Sequence, residues 1–362
     1  MKIFHIVSNP VWGGGEQYVF DLTSQQLQEG HSVELFCRKG SVPTKRFQQL
    51  GVPVHALPLR GIADMNSARM MARILANQPP CIVHAHNFKD CFTVAFARLL
   101  CRNRNIRIVA TRHLVRTGKR GPLYRWLYSQ IDAFYFVSQL AHDRFFCSNP
   151  PADKHKARVI TGCVNISGIP APINLRQQLG IKTDVVVGMY HGRLHPEKGL
   201  DVLLDAVHLL RELPMAIVLL GNGSDEYTTL LKERIQKLDL TDRIILAGFQ
   251  NPVLPFVAAA DFGVLPSIVE ESCLLAVQEY MACSIPVIVT DNGGQREYVN
   301  HHHSGLLIPP NDSDSLAEAL KTLVSNATLR HTMGENARKD FVEKLSYIRM
   351  YNSILDLYRS VL

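Results

Sequence analysis

Two glutamates, Glu271 and Glu279, lie eight residues apart on either side of a short apolar stretch. The leucines after Cys273 predict a helix that begins near that cysteine. The backbone N–H groups of Cys273, Leu274 and Leu275 would then lie at the positive end of the helix, where they can bind an anion. Glu279 would lie about 9 Å further along the axis and could accept hydrogen bonds from hydroxyl groups, while Glu271 reaches another part of the same ligand. Taken alone, two solvated glutamates would be the simpler interpretation.

A second loop carries two cations in an order that suits a phosphate ligand. Gly192 and Arg193 directly follow a predicted strand, and Lys198-Gly199 leads into a helix with an apolar stripe. Arg193 and Lys198, five residues apart across a turn, could hold a diphosphate from two sides. This order of strand, Gly-Arg, loop, Lys-Gly and helix is more specific than charged loop residues alone.

Glycine-rich loops follow two further predicted strands. Gly13 and Gly14 open a helix, and glycines at such a position let backbone N–H groups approach an anion. A tight turn without a ligand is the alternative. Gly221 follows a later strand and could pass near a nucleotide. The dinucleotide fingerprint G-x-G-x-x-G is absent because Tyr18 stands at its last glycine position, which argues against a nicotinamide enzyme.

The elements that must position these loops alternate regularly, with short apolar runs between amphipathic stretches. This pattern predicts parallel sheets covered by helices on both faces, the α/β class. Prolines and glycines interrupt it at residues 166–184, which we interpret as a linker between domains 1–165 and 185–345. The predicted strands are Lys2–Val7, Ser32–Phe36, Cys81–His84, Ile106–Ala110, Ala133–Val137 and Val159–Ile160, then Val185–Tyr190, Ala216–Leu220, Arg243–Ala247, Phe262–Leu265 and Pro286–Thr290.

We therefore expect two doubly wound, Rossmann-like domains. Ligands of such sheets bind beyond the carboxyl ends of the strands, so a cleft between the domains is the expected site. The last helix, residues 346–362, carries an apolar stripe that needs a partner.

Composition and cysteine usage indicate the cellular compartment of the protein. The chain has 362 residues, of which 46% are hydrophobic and 20% charged, and no apolar run approaches the roughly 18 residues that cross a bilayer. Its eight cysteines form neither a C-x-x-C pair nor a zinc spacing, and the start lacks the pattern of a signal peptide. We expect a cytoplasmic protein.

The motifs that could suggest a metal have simpler interpretations. Asp312-Ser-Asp314 matches the D-x-D of metal-dependent transferases, but it precedes a helix and predicts an N-cap. Three adjacent histidines at 301–303 cannot all turn to one ion. His84 and His86 share a strand face and could equally be structural. We expect no metal and no cofactor.

The net charge of +7 is partly local. The segment 111–128 contains five cations and no acid, namely Arg112, Arg116, Lys119, Arg120 and Arg125. An anionic membrane face, a phosphorylated substrate or nucleic acid would each fit, and a basic loop without a partner is the alternative. Since no zinc finger, RNP-type motif or long basic helix accompanies the segment, we expect no nucleic-acid partner.

The second half of the chain resembles the glycosyltransferase family 4 proteins, which have the GT-B fold. Glu271 to Glu279 fits the E-x7-E element of that family. The other matching stretches, in order, are GRLHPEKG, LLGNGS, AGF, AAADFGVLPS and GLLIPPNDSDSLAEAL, and in the first half GGGEQYVFDL, CIVHAHN, IVATRH and AFYFVSQLAHDRF. Ser272-Cys-Leu274 stands where members often have Gly-Phe-Gly, and Gly162-Cys-Val-Asn165 replaces the usual Asn-Gly-Val-Asp, so the donor stays open.

The resemblance implies catalytic roles for Arg193 and Lys198, which would neutralise the departing nucleotide diphosphate together with the amides at 273–275. Glu271 would contact the transferred sugar, and His113 would lie at the reacting centre.

The remaining roles that the resemblance implies concern donor binding and the domains. Glu279 would hold the ribose hydroxyls, Gly13 and Gly14 would approach the phosphates from the other domain, and the backbone near Phe249 would border the base. Domain 1–165 would be the acceptor side, with helix 346–362 packed back on it, and 185–345 would bind the nucleotide-sugar.

The resemblance implies a metal-independent, retaining, hexosyl-type glycosyltransferase of bacterial polysaccharide or lipopolysaccharide synthesis. It would move a sugar from a UDP- or GDP-sugar to a glycan or lipid-linked acceptor, in the cytoplasm or peripherally on the inner face of the membrane. The alternatives are a nucleotide-sugar epimerase of GT-B type and a catalytically silent subunit that binds nucleotide or glycan. Intact Arg193, Lys198, Glu271 and Glu279 argue against a decayed site.

Overall fold

The computed structural model describes residues 1–62, 64–166 and 168–362. The chain divides into two compact units, one formed by Met1–Gly162 with Ile348–Leu362 and the other by Cys163–Tyr347. Each unit is built on a sheet of parallel strands with helices in the connections, which confirms the α/β class and the doubly wound architecture.

The first unit has a seven-stranded sheet in the order β3-β2-β1-β4-β5-β6-β7. Its strands are β1 (Lys2–Val7), β2 (Ser32–Arg38), β3 (Val54–Leu57), β4 (Cys81–Ala85), β5 (Ile106–Arg112), β6 (Ala133–Phe136) and β7 (Ala157–Val159). Its first six helices are α1 (Gly14–Gln28), α2 (Val42–Gln48), α3 (Met65–Leu75), α4 (Asp90–Cys101), α5 (Pro122–Gln130) and α6 (Gln139–Phe146). The order places the switch point of the sheet between β1 and β4, where ligands of such sheets bind.

The second unit has a six-stranded sheet in the order β10-β9-β8-β11-β12-β13. Its strands are β8 (Val186–His191), β9 (Met215–Leu220), β10 (Ile244–Gly248), β11 (Phe262–Leu265), β12 (Val287–Thr290) and β13 (Gly305–Ile308). Its helices are α7 (Leu175–Leu179), α8 (Leu200–Leu209), α9 (Asp225–Lys237), α10 (Leu254–Val257), α11 (Leu275–Ala282), α12 (Ser313–Ser325) and α13 (Ala327–Lys344), and α14 (Tyr347–Val361) follows.

The structure contains three elements that the sequence did not predict. The short strands β3 and β13 were not predicted, because β3 lacks a continuous apolar run and β13 begins with a glycine, which disfavours strands. Helix α7 lies within the segment 166–184 that we interpreted as a linker. The side chain of Asn174 caps its start by accepting from the Gln177 N–H at 3.3 Å, and Gly180 ends it with a φ of +67°.

The closing helix α14 completes the core of the first unit. Tyr351, Ile354 and Tyr358 on its inner face are fully buried. The Tyr358 hydroxyl lies 2.6 Å from Nδ1 of His84 on β4, and Arg107 donates from Nε to the Val361 carbonyl at 2.6 Å. Among the described residues, no helix has the length and apolar character needed to cross a membrane.

We predict that Ile354→Ala lowers the free energy of unfolding of the first unit by about 3 kcal/mol, because it leaves a cavity in a packed core. Ile348→Ala is the matched control, since Ile348 belongs to the same helix but is 54% exposed, and it should cost about 0.5 kcal/mol. Urea denaturation followed by tryptophan fluorescence reports on this unit, because both tryptophans, Trp12 and Trp126, lie in it. A chain truncated after Leu345 that unfolds at the wild-type urea concentration would contradict the assignment of α14 to this core.

Candidate active site

The loop after β8 is held rigidly at the carboxyl end of the second sheet. Gly192 donates its N–H to the Leu220 carbonyl at 3.0 Å, and Leu194 donates to the Asn222 carbonyl at 2.9 Å. The Tyr190 hydroxyl donates to the Arg193 carbonyl at 2.7 Å. The Arg193 side chain is 60% exposed, and its guanidinium lies 3.7 Å from the Glu197 carboxylate, so a fixed backbone presents this group to solvent.

The turn that carries Lys198 depends on the glycine after it. Gly199 has a φ of +67°, and a Cβ there would overlap the carbonyl oxygen of Pro266, so only glycine fits. The Ile268 N–H donates to the Glu197 carbonyl at 2.9 Å. The turn is therefore packed directly against the loop that follows β11.

Lys198 and Glu271 form an ion pair, with 2.5 Å between Nζ and Oε1. Their side chains are 25% and 22% exposed. The same Glu271 oxygen accepts from the Ser267 hydroxyl at 2.7 Å, and the Glu271 carbonyl accepts from the Gly294 N–H at 2.8 Å. The interpretation of Glu271 as a solvated surface glutamate is therefore wrong.

Glu279 is paired with a histidine that sequence reasoning missed. Its Oε2 lies 2.5 Å from Nε2 of His191, the last residue of β8. The His191 side chain is 8% exposed and its ring lies 4.8 Å from that of Tyr280. The available signal was a histidine directly before Gly192-Arg193, but the predicted strand ended at Tyr190 and His191 was assigned to the loop without a role.

Helix α11 begins at Leu275, two residues later than predicted. Leu274 is the N-cap, with φ −92° and ψ 70°, and the first helical amides belong to Leu275, Ala276 and Val277. The predicted start near Cys273 was wrong because backbone geometry, which the apolar pattern does not specify, excludes Leu274 from the helix. Glu279 consequently lies about 6 Å into the helix rather than about 9 Å.

The other donor-binding candidates of this unit also lie at strand ends. Gly221, after β9, has a φ of +140°, and a Cβ there would overlap the Gly192 carbonyl oxygen. Packing of two backbone segments therefore requires this glycine whether or not a ligand is present. Phe249 follows β10 and is 48% exposed. The Cys273 thiol does not suit nucleophilic chemistry, since burial raises its pKa to about 12.

In the first unit, the start of α1 is occupied by a carboxylate of the chain itself. Gly13 is the N-cap and Gly14 the first helical residue. The Glu16 carboxylate accepts hydrogen bonds from the backbone of Gly13 and Glu16 and from Asn9 Nδ2, the last at 2.5 Å. Burial raises the pKa of Glu16. An anion that approaches these amides must therefore compete with Glu16.

His113 follows β5 at the carboxyl end of the first sheet. Its ring lies 5.4 Å from that of Tyr18 and 5.9 Å from that of His86. Burial, and secondarily the charge of Arg112, lowers the pKa of His113 to about 4. Its imidazole is thus neutral at physiological pH.

Three further imidazoles lie behind His113. His5, His84 and His86 offer nitrogen atoms within 4.8 Å of one another, which makes them the one group in the described chain that could ligate a metal. They are hydrogen-bonded instead: His5 Nε2 donates to Gln26 at 2.8 Å and its Nδ1 lies 2.9 Å from His86 Nε2. His84 lies 2.6 Å from the Tyr358 hydroxyl and 2.5 Å from that of Thr111. These contacts form a polar network within the core, in which Nδ1 of His86 is buried without a hydrogen-bond partner.

The D-x-D motif is a helix cap. The Asp312 carboxylate accepts from the Ser315 N–H at 2.9 Å and from its hydroxyl at 2.6 Å, at the start of α12. The N-cap prediction is confirmed. In the histidine run, His301 Nδ1 accepts from the Leu307 N–H at 2.9 Å.

Comparison with known proteins identifies the family. A model of Glycosyltransferase Family 4 matches residues 12–167, and a model of Glycosyl transferases group 1 matches residues 173–340. The chain belongs to the family 4 glycosyltransferases. The resemblance inferred from the motifs is therefore confirmed.

Two relatives of this glycosyltransferase are named for the transfers that they perform. The UDP-Gal:alpha-D-GlcNAc-diphosphoundecaprenol alpha-1,3-galactosyltransferase of Escherichia coli is 27% identical and aligns over 99% of this chain and 96% of its own. The lipopolysaccharide 1,2-N-acetylglucosaminetransferase of Salmonella typhimurium is 34% identical over 48% of each chain.

Solved structures establish the fold of the glycosyltransferase. Anabaena Alr3699/HepE, crystallised with UDP and glucose, superposes with a TM-score of 0.85 over 99% of this chain and all of its own, at 20% identity. The GT-B fold expected from the sequence is confirmed.

The buried imidazoles generate a prediction about pH. Burial lowers the pKa of His5 to about 4, as for His113, and holds those of His84 and His86 well below the ordinary value. Below about pH 6.5 the unfolded chain binds protons that the folded unit does not. As the pH is lowered, the free energy of unfolding should therefore fall by up to about 1.4 kcal/mol per pH unit for each histidine. Asp90 has the opposite effect between about pH 3.8 and 7, where lowering the pH raises the free energy of unfolding, because burial raises its pKa to about 7.

The contribution of one histidine to this pH dependence can be measured by comparing wild type with a variant that lacks it. We expect His5→Gln to reduce the slope of unfolding free energy against pH by about 1 kcal/mol per unit between pH 6 and 4.5, measured by urea denaturation. His155→Gln, an exposed position of the same unit, should leave the slope unchanged. Equal slopes for wild type and His5→Gln would show that His5 titrates alike in both states.

Proposed function

We propose that this protein is a retaining, metal-independent, hexosyl-type glycosyltransferase that takes its sugar from a UDP- or GDP-sugar. The observation that carries the proposal is the group of charged side chains at the carboxyl end of the second sheet. Arg193, Lys198, Glu271 and Glu279 all lie on loops or helix turns that follow β8 or β11. Two cations and two carboxylates in this arrangement can bind a diphosphate and the sugars on either side of it.

Arg193 and Lys198 would stabilise the charge that develops on the departing diphosphate. An ammonium has three N–H donors, and the Glu271 pair uses one, so donors remain on Lys198 for phosphate oxygens. The exposed Arg193 guanidinium offers a planar fork to the same group, and the α11 amides after Leu274 add the helix dipole. Cations and dipoles fixed before reaction commonly supply several kcal/mol of transition-state stabilisation. These groups would perform the charge neutralisation for which other transferases use a metal.

The two glutamates would act on different parts of the donor. Glu279 uses one oxygen on His191, which orients the carboxylate and leaves the other oxygen for the ribose hydroxyls. Glu271 would face the transferred sugar, where positive charge grows at the anomeric carbon as its bond to phosphate breaks. In a retaining reaction of this kind, the leaving phosphate itself would accept the proton of the attacking hydroxyl.

The candidates of the first unit complete the proposal. His113, a neutral imidazole at the carboxyl end of β5, would hydrogen-bond at the reacting centre. Gly13 and Gly14 would approach the donor phosphates, in competition with Glu16, and Gly221 and Phe249 would border the nucleotide. We assign the first unit to the acceptor and the second to the donor.

The relatives support a role in surface glycan synthesis. One is named for a UDP-galactose donor and a diphosphoundecaprenol-linked acceptor, and HepE was crystallised with UDP. We propose a glycan or lipid-linked acceptor and synthesis of bacterial polysaccharide or lipopolysaccharide at the inner face of the membrane. An epimerase would release a changed nucleotide-sugar without acceptor, and a silent subunit would bind nucleotide without turnover.

Nucleotide binding tests the proposal directly. Titration calorimetry with UDP, GDP and ADP should show binding of at least one, weakened at least about tenfold by Lys198→Met, which removes one charge-assisted contact. A screen of the matching nucleotide-sugars should then show slow hydrolysis. Absence of binding by all three nucleotides would exclude the proposed donor site.

We predict that substitutions of the two carboxylates affect different kinetic constants. Glu279→Ala should raise the KM for donor about tenfold with a smaller effect on kcat, because ribose contacts exist in ground and transition states alike. Glu271→Gln should lower kcat about a hundredfold, while free nucleotide still binds, since Lys198 is released from its partner. Glu270→Gln, the exposed neighbour, is the matched control and should match wild type. Full turnover by Glu271→Gln would remove Glu271 from the reaction.

The basic segment 111–128 supports a peripheral membrane contact. A groove of about 690 Å³ runs along one face of α5, and its lining includes two arginines and a tryptophan but no acid: Arg120, Gly121, Pro122, Arg125, Trp126, Ser129, Asn149 and Pro151. Leu114 and Leu123 on the same segment are 58% and 50% exposed. Cations beside exposed apolar groups suit the surface of an anionic bilayer.

Vesicle co-sedimentation tests this contact. The protein should bind vesicles containing phosphatidylglycerol more strongly than pure phosphatidylcholine vesicles. The double variant Arg120→Gln/Arg125→Gln should weaken that binding about 30-fold, at about 1 kcal/mol for each cation. Arg104→Gln/Arg158→Gln removes two exposed cations elsewhere on the unit and should have little effect. Indifference to lipid charge at low salt would remove the membrane from the proposal.

A further inference from the structure

Arg112 is a cation enclosed by aromatic rings at the carboxyl end of the first sheet. It is the last residue of β5 and immediately precedes His113. Its guanidinium carbon lies 4.7 Å from the ring centre of Phe88 and 5.2 Å from that of Phe145. The side chain is only partly exposed, and the proposed function does not use it.

The charge of Arg112 is incompletely compensated. In the described part of the chain it forms no ion pair, its one hydrogen bond runs from an Nη to the Arg116 carbonyl at 3.3 Å, and its Nε is buried without a partner. Burial lowers its pKa, and Arg116 adds to the effect. Contacts with two rings offset only part of the cost of withdrawing a cation from water. Such a site favours an anionic ligand.

The loop after Arg112 is anchored, so its cations are carried by a fixed backbone. The Gly118 N–H donates to the Phe145 carbonyl at 2.9 Å, and its carbonyl accepts from the Ser148 hydroxyl at 2.6 Å. The backbone N–H of Lys119 donates to the Tyr128 hydroxyl at 3.1 Å, and that hydroxyl donates to the Lys119 carbonyl at 3.1 Å. A Cβ at Gly118 would lie 2.6 Å from Cγ of Pro150, so glycine is required where the loop packs.

Four cations therefore occupy nine residues of fixed chain, namely Arg112, Arg116, Lys119 and Arg120, and none of them is ion-paired in the described structure. A single carboxylate would neutralise only one of them. A phosphate or diphosphate carries two or more negative charges on oxygens whose spacing matches the guanidinium fork. The charge balance therefore favours a phosphate group over a carboxylate.

We propose that Arg112 binds the phosphate of a phosphorylated acceptor, with the cations of the following loop around it. The proposal rests on the proposed function, because the neighbouring His113 marks the reacting centre only if sugar transfer takes place there. The acceptor would then be a sugar phosphate or a lipid-linked sugar diphosphate, whose phosphate lies about one sugar ring from the hydroxyl that reacts.

Binding of two soluble probes tests the proposal. The full-length protein is first saturated with whichever of UDP, GDP or ADP binds, and is then titrated with inorganic pyrophosphate and with glucose 1-phosphate. We expect Arg112→Gln to weaken probe binding at least about tenfold, and Arg112→Lys to weaken it less, because a cation remains without the planar fork. Arg104→Gln, which removes an exposed cation elsewhere on the unit, should stay within about twofold of wild type.

Three outcomes separate this proposal from its rivals. If Arg112→Gln melts at a lower temperature yet binds both probes like wild type, Arg112 is a structural support between two rings and the proposal is overturned. If Arg112→Gln weakens vesicle binding as much as Arg120→Gln/Arg125→Gln but leaves the soluble probes unaffected, the anion is a lipid headgroup and the proposal is equally overturned. Failure of wild type to bind any nucleotide would count against the proposed function, which the first titration measures separately.

Discussion

The absence of a side chain at Gly199 is the constraint on which the charged site of the second unit depends. Any Cβ there would overlap the backbone of Pro266, so only glycine lets the loop after β8 meet the loop after β11. The backbone hydrogen bond between Glu197 and Ile268 then fixes the distance between these two loops. Lys198 and Glu271 form their ion pair as a consequence. A partly exposed ion pair adds little stability of its own, which means that backbone packing positions the charges.

The two sheets differ in the charged groups that lie at the carboxyl ends of their central strands. In the second unit, carboxylates and cations pair at the ends of strands, as Glu279 does with His191. In the first unit, the centre of the sheet holds neutral imidazoles linked to one another and to hydroxyl groups, while the cations lie outside it. A neutral interior beside an excess of positive charge is suited to accepting anions, whereas a ligand at the paired site would have to compete with the partner that each charge already has.

The sequence predicted the strands and the charged loops well, because both follow from local order. Buried runs such as Phe262–Leu265 are continuously apolar, and Arg193 and Glu271 stand near such runs. The pairing of Glu279 with His191 joins residues 88 apart, and nothing in either local pattern encodes it. The start of α11 was misplaced because leucines favour a helix irrespective of the φ and ψ that Leu274 adopts. The occupation of the α1 start by Glu16 was missed because a glycine-rich helix start is equally open to an internal carboxylate and to a ligand.

Helix α14 has a consequence for the order in which the chain is made and folds. The sheet of the first unit is synthesised early, but the surface that Tyr351, Ile354 and Tyr358 cover stays open until those residues leave the ribosome. The whole second unit, residues 163–347, is translated in the interval and can fold as a unit before the first is complete. The unit made first is therefore the unit finished last, and its exposed apolar surface during translation is where a chaperone would bind.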